Sequence, residues 1–366
     1  MTSYDGITWL PSSTSLYDTL FSIAWSPELG LFAAGSTSGF IITSNDGITW
    51  TNRITTAQAS WSSMCWSPEL GLFCAVSNDG VSNGIYISSD GIAWTRINYG
   101  STNKLQSVCW AAELGLFVAV SNSGTVTSKV LISSNGTKWN FKTAAANLSW
   151  SSVCWSPELG LLCAVSTSNT TGYTDRVMTS ADGITWTSRT AAANNNWQSV
   201  CWSRELGLFV AVSNTNTTGY TDRVMTSPDG ITWTSRTAAA NNNWNAICWS
   251  PELGIFCAVA ASGIGTRVMT SSLPARPPTS YNVFDSSFNS IDSNGNWTIQ
   301  GTSLTSTQAV TLGSTGANTT IQTGNSLILT GPTSGSNFIT NSSATASGNY
   351  LVVTINNTSY KIPLYT

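Results

Sequence analysis

Ser199-Val200-Cys201-Trp202-Ser203-Arg204-Glu205-Leu206-Gly207-Leu208-Phe209-Val210-Ala211-Val212, followed after a polar stretch by Arg223-Val224-Met225-Thr226-Ser227-Pro228-Asp229-Gly230-Ile231-Thr232-Trp233-Thr234, is one unit of a pattern that recurs along the chain. Its first phrase, Trp202 to Gly207, has copies starting at Trp25, Trp66, Trp110, Trp155 and Trp249. Its second phrase, Asp229 to Trp233, has copies ending at Trp9, Trp50, Trp94, Trp139 and Trp186. The Trp closing each second phrase precedes the Trp opening the next first phrase by 16 residues in all six instances, and units repeat every 41 to 47 residues. A fixed period in this range specifies a repeat architecture before any residue is read singly.

Within the unit, Ser199 to Trp202 has the β-branched and aromatic character of a short strand, and Gly207 ends a tight connection suited to positive φ. Leu208 to Val212 is a continuous apolar run, as a strand buried on both faces requires. A polar loop, Asn214 to Asp222, leads to a third strand at Arg223 to Ser227, and Asp229-Gly230 is a hairpin turn into a fourth. Four short antiparallel strands per unit, arranged radially, make a blade of a β-propeller. The last unit breaks off after Ser271 into Leu273-Pro274-Ala275-Arg276-Pro277-Pro278, while Ser3 to Trp9 is a lone copy of the fourth-strand phrase. The expectation is an all-β chain: a six-bladed β-propeller over 1–272, closed by the N-terminal strand completing the sixth blade, a Pro-rich linker over 273–280, and a small β-rich domain over 281–366.

This strand order puts both recurring turns at one end of the blades. The longer, variable loops lie at the other end, which makes that end the candidate for recognition.

Composition narrows the function. The chain has 366 residues, 8% of them charged, no histidine and a formal charge of −3. Nothing resembles a basic nucleic-acid footprint, a membrane-spanning stretch or a secretory signal; synthesis and folding in a cytoplasm are expected. The eight cysteines follow the repeat, at Cys65, Cys109, Cys154, Cys201 and Cys248, and nine residues later at Cys74, Cys163 and Cys257. Ala24, Ala33, Val118 and Val210 stand at equivalent places, as for small buried apolar residues, so free core thiols are expected. Neither a metal site nor a cofactor is expected.

Ser44-Asn45-Asp46-Gly47-Ile48-Thr49-Trp50 and its partners resemble the Asp-box (BNR) hairpin of sialidase-like propellers, Ser-x-Asp-x-Gly-x-x-Trp, with one residue fewer between Asp and Gly. The fourth copy has Asn135 for the Asp. The resemblance covers about three quarters of the chain. In that family the hairpins are structural and lie away from the active site, so the resemblance implies the fold without hydrolysis.

Candidate ligand residues lie on the loop end. Arg176, Arg223 and Arg267 occupy equivalent places in successive blades, with Lys129 in the blade before; Tyr173 and Asp175, and Tyr220 and Asp222, precede two of them. Either they form a cationic, aromatic-rimmed face for carboxylates, or each Arg pairs with a nearby Asp and starts a strand. Trp197 and Trp244, with Trp61 and Trp150, either stack on sugars or pack between blades, where Leu20 and Leu105 stand in other units. The symmetric placement of these residues favours the structural readings, and no catalytic residues are assigned.

Residues 279–366 are rich in Thr, Ser, Asn and Gly, with Asp285, Asp292 and Lys361 their only charges. Tyr350 to Ile355 and Thr358 to Ile362 read as a hairpin around Asn356-Asn357. This texture resembles shaft and C-terminal modules of viral fibre and capsid-associated proteins, which gain burial by intertwining. The expected function is a non-enzymatic virion structural or attachment protein. Its expected partners are itself, as a homotrimer through the C-terminal domain, other virion proteins and a host-surface glycan, with no nucleic acid and no membrane insertion. A sialidase-like glycosidase and a lectin-type glycan-binding module are the alternatives.

Overall fold

The computed structural model describes residues 2–3, 6, 8–10, 19–53, 59–80, 84–167, 175–216, 222–271, 288–291, 297–299, 350–355 and 358–363. The chain divides into two units, Met1–Thr279 and Ser280–Thr366.

The first unit is a six-bladed β-propeller. Blade one is β1 (Leu20–Ser26), β2 (Leu31–Ser36), β3 (Ile41–Ser44) and β4 (Thr51–Arg53), hydrogen-bonded in that order. Blade two repeats it with β5 (Trp61–Ser67), β6 (Leu72–Ser77), β7 (Ile85–Ser88) and β8 (Thr95–Ile97). Blade three holds β9 (Leu105–Ala111), β10 (Leu116–Ser121), β11 (Val130–Ser133) and β12 (Asn140–Lys142). Blade four holds β13 (Trp150–Ser156), β14 (Leu161–Ser166), β15 (Val177–Ser180) and β16 (Thr187–Arg189). Blade five holds β17 (Asn195–Ser203), β18 (Leu208–Asn216), β19 (Val224–Ser227) and β20 (Thr234–Arg236). Blade six has three strands among the described residues, β21 (Trp244–Ser250), β22 (Ile255–Ala260) and β23 (Val268–Thr270). In the second unit, β24 (Phe288–Ile291) pairs with β25 (Trp297–Ile299), and β26 (Tyr350–Ile355) pairs with β27 (Thr358–Pro363).

The apolar run of each unit becomes the second strand, and in blades two to five it is buried on both faces because a neighbouring blade packs against each. Val76, Val120, Val165 and Val212 at one equivalent position are all fully buried. The cysteines are free thiols, and burial raises Cys74, Cys109 and Cys163 out of the range in which a thiolate forms near neutrality. The core therefore has the small apolar character read from the Ala/Val/Cys exchange.

The Asp-Gly turns are held by their own polar side chains. Asp46 Oδ1 accepts the N–H of Ile48 at 2.8 Å and of Thr49 at 2.7 Å, while Ser44 Oγ accepts the N–H of Gly47 at 2.8 Å. The N–H of Thr49, then that of Ile48, then the Ser44 hydroxyl, bring the Asp46 carboxyl down to about 2. Asp90 and Asp182 shift the same way; at Asp229 partial burial works against the bonds, which still prevail. Asn135 fills the same role with an amide oxygen, accepting from Thr137 and Lys138 at 3.0 Å each.

Because the folded pKa is depressed, the stability these carboxylates contribute is complete above the unfolded value near 3.8 and is lost as pH falls towards about 2. Asp→Asn at 46, 90, 182 and 229 together is therefore expected to flatten acid unfolding between about pH 4 and about pH 2. Circular dichroism against pH checks this; an acid profile identical to that of the parent protein would contradict it.

At Gly91, with φ of 70°, a Cβ would lie 2.6 Å from Leu31 Cδ2 of the preceding blade, so the turn demands glycine both for its backbone and for blade packing. Gly6 repeats this geometry: φ is 72°, and a Cβ would lie 2.6 Å from Ile255 Cδ1 and 3.5 Å from Thr270 Cγ2 of blade six. The N-terminal segment thus packs on blade six, while a Cβ at Gly47 of blade one would lie 3.1 Å from Thr2 Cγ2. It closes the ring from between the two blades.

The N-terminal strand that closes the ring carries a hairpin pairing of its own. Thr2 pairs with Leu10 in its own hairpin, N–H to O at 2.9 and 2.8 Å, and the described partner of β23 is β22. The physical reason is in the sequence: Met1-Thr2-Ser3 duplicates Met269-Thr270-Ser271, whose Met269 and Thr270 already supply the third strand of blade six.

Candidate interaction faces

Blades are joined by polar side chains as well as by packing. The second-strand turn of blades one to five offers a Glu to the first-strand Trp of the next blade. Trp66 Nε1 donates to Glu28, Trp110 to Glu69, Trp155 to Glu113, Trp202 to Glu158 and Trp249 to Glu205, at 2.5 to 2.7 Å. A second rung lies deeper: Ser63, Ser107, Ser152 and Ser199 Oγ accept the N–H of Val108, Val153, Val200 and Ile247. Asn45 Nδ2 donates to the Gly30 carbonyl at 2.9 Å, which sets the two recurring turns side by side at one end of the blade.

At the loop end, the candidate basic residues prove to be bolts. Arg176 is buried; its Nε donates to Asn194 Oδ1 at 2.8 Å, and its Nη1 donates to the Thr167 carbonyl and Asn196 Oδ1 at 2.9 Å each. Arg223 repeats this with Asn241 Oδ1 at 2.7 Å, the Asn214 carbonyl at 2.5 Å and Asn243 Oδ1 at 3.3 Å. Each guanidinium ties the loop before the third strand of its blade to the chain leading into the next blade. Burial draws both below the usual guanidinium value, and Lys129 below the usual ammonium value; a guanidinium remains charged throughout.

The acceptors are amides and carbonyls, not the neighbouring aspartates. Asp175 accepts instead from the Thr190 hydroxyl at 3.2 Å, and Asp222 from Thr237 at 3.3 Å. Among the described residues the ion pair is Arg204 with Glu158, at the turn end. Arg267 is exposed and donates to the Gly263 carbonyl at 2.7 Å. Tyr173 and Tyr220 lie outside the described residues.

Of the two readings open for Trp197 and Trp244, the positions fit packing between blades. Both are fully buried, as are Trp61 and Trp150, and their indole N–H groups donate to Ala193 and Ala240 carbonyls at 3.1 Å. A side chain with no exposed face cannot stack on a sugar. The position faces the neighbouring blade, which is why Leu105, also fully buried, substitutes for it.

The turn end, which the sequence marks as pure scaffold, exposes aliphatic side chains blade after blade: Leu70, Leu159 and Leu206 beside the Glu, and Ile92, Ile184 and Ile231 after the Asp-Gly. An Ile at the tip of a polar turn, with no strand partner to bury it, was the available signal. Among the described residues, no three Cys, Asp or Glu side chains gather closely enough to hold a metal ion, and no helix is long and apolar enough to cross a membrane.

No protein-family model matches the sequence, and no curated protein matches it. Solved structures do match the fold. The propeller is similar to a chain in the structure of YCF48 bound to D1 peptide, with a TM-score of 0.50 and 15% identity, covering 69% of this chain and 80% of that one. It is also similar to a chain in the crystal structure of the mitotic checkpoint complex, with a TM-score of 0.51 and 16% identity, covering 68% and 73%. At these identities the likeness speaks for the fold alone.

Proposed function

We propose that this chain is a non-enzymatic virion structural or surface protein built on Asp-box-like repeats. Its six blades form a platform that binds protein partners, and residues 281–366 oligomerise or anchor it. One observation carries the reading: the side chains that a carboxylate or sugar site would use are engaged in holding blades together. Arg176 and Arg223 spend their forks on Asn194, Asn196, Asn241 and Asn243, and Trp197 and Trp244 are interior. The turn end, with its repeated Leu and Ile, is the surface a protein would cover.

The two similar structures are complexes by their titles, one with a peptide and one a multi-protein assembly, which favours a protein partner over a glycan. The virion setting rests on the Thr/Ser/Asn/Gly-rich texture of residues 279–366 and on its few charges. There the chain would meet copies of itself, as a homotrimer, and other virion proteins.

Light scattering tests the assembly. The full chain is expected at a multiple of 38.7 kDa, and residues 1–279 alone at the mass of one copy. A strict monomer in both would overturn self-assembly, and turnover of a fluorogenic sialoside by the purified chain would overturn the non-enzymatic reading.

A further inference from the structure

We propose that the junction between blades six and one takes in a β-hairpin from a partner protein, which supplies the two inner strands of a blade there. The inference adds a second contact region to the binding platform and rests on that reading.

The spacing comes first. A Cβ at Gly6 would meet Ile255 and Thr270, as one at Gly91 meets Leu31 and Thr43 and one at Gly230 meets Leu161 and Thr179. On its other side Thr2 approaches Gly47, as Thr179 approaches Gly230. Thr2 pairs with Leu10 in the register that joins Thr43 to Thr51. Thr2 and Leu10 are thus placed as the third and fourth strands of a blade lying between β21 and β1. The edge of Thr43 that faces inward pairs with β2 through Ala33; the matching edge of Thr2 is where an inner hairpin would pair.

The flanks agree. Ile23 of β1 is 59% exposed, whereas its equivalents Met64, Val108, Val153 and Val200 are 4 to 7% exposed against a preceding blade. On blade six, Val259 is 40% exposed, whereas Val76, Val120, Val165 and Val212 are fully buried against a following one.

The polar groups are left in complementary halves. Five junctions carry a Trp-to-Glu bond; at this one Trp25 Nε1 has no acceptor among the described residues, and Glu252 accepts from Ser250 of its own turn, at 3.4 Å. The occupant is therefore specified: two strands of about six residues joined by a tight turn, with a Trp on the first strand to donate to Glu252 and a carboxylate in the turn to accept from Trp25. Its second strand is apolar on both faces. The one Trp of residues 279–366, Trp297, is followed three places on by Gln300 and not by a carboxylate, which points to a partner rather than the tail. Addition of strands to an open sheet edge is an established recognition mode.

The probe is a labelled peptide with the sequence of residues 197–213, an inner hairpin of this chain, titrated with the intact protein by fluorescence anisotropy. Saturable one-to-one binding is expected. Ile23→Asp and Glu252→Ala, both changes to exposed side chains, are each expected to weaken it about tenfold or more, about 1.4 kcal/mol, while Lys104→Asp, at an exposed place on blade three, leaves it unchanged. Absence of saturable binding, or equal binding by the Ile23→Asp and Lys104→Asp proteins, would overturn the proposal. Sialoside turnover, which bears on the platform reading alone, is read separately.

Discussion

Trp197→Ala is expected to lower the unfolding free energy by about 3–5 kcal/mol, the usual cost of deleting a large aromatic from a packed interior. The ring is fully buried and belongs to a core that includes Val165, Val177, Val200 and Met225, drawn from blades four and five. Truncation would remove both the packing and the indole bond to the Ala193 carbonyl. Trp197→Leu is expected to lose less, because Leu105 fills the equivalent place in blade three without exposure. Urea unfolding followed by circular dichroism separates the outcomes. A ligand-stacking Trp would instead leave stability unchanged on truncation, so a Trp197→Ala protein as stable as its parent contradicts the assignment to core.

Arg176→Met is expected to cost about 3 kcal/mol, because it strands Asn194 Oδ1, Asn196 Oδ1 and the Thr167 carbonyl that one guanidinium had satisfied. Arg223→Met should behave alike, having the same acceptors in the next blade. Arg176→Lys should recover little, since an ammonium is a point charge without the planar fork that spans two separated acceptors. Arg267→Met, at an exposed place, should fall within about 0.5 kcal/mol of the parent. Equal effects at Arg176 and Arg267 would contradict the bolt assignment.

The blade was legible in the sequence because its period, its turn glycines and its apolar second strand are all local signals. Leu208 to Val212 reads as a strand buried on both faces, and it is one. The contacts between blades were not legible, because they join residues far apart in the chain. The Glu of each turn could be seen to recur, but its acceptor role towards a Trp 38 to 44 residues away depends on successive blades packing side by side.

The arginine bolts were half-legible. Arg176 is followed by Ala191-Ala192-Ala193-Asn194-Asn195-Asn196, and Arg223 by Ala238-Ala239-Ala240-Asn241-Asn242-Asn243, whereas Lys129 is followed by Ala144-Ala145-Ala146-Asn147-Leu148-Ser149. Arginine and the Asn triplet occur together, and that pairing was the signal for amide acceptors in place of the adjacent aspartates. The N-terminal strand was legible from its lone Asp5-Gly6 phrase, whereas the pairing of Thr2 with Leu10 joins backbone groups that no residue type marks.

The central claim is that the recurring polar residues hold the ring together and leave recognition to its surfaces. Solvent exchange of arginine Nε–H groups, measured by heteronuclear NMR on the intact chain, tests it most directly. Arg176 and Arg223, buried and bonded through Nε to Asn194 and Asn241, are predicted to exchange far more slowly than the exposed Arg236 and Arg267. Exchange at Arg176 and Arg223 as fast as at Arg236 and Arg267 would show guanidinium groups open to solvent and to a carboxylate ligand, and would contradict the account.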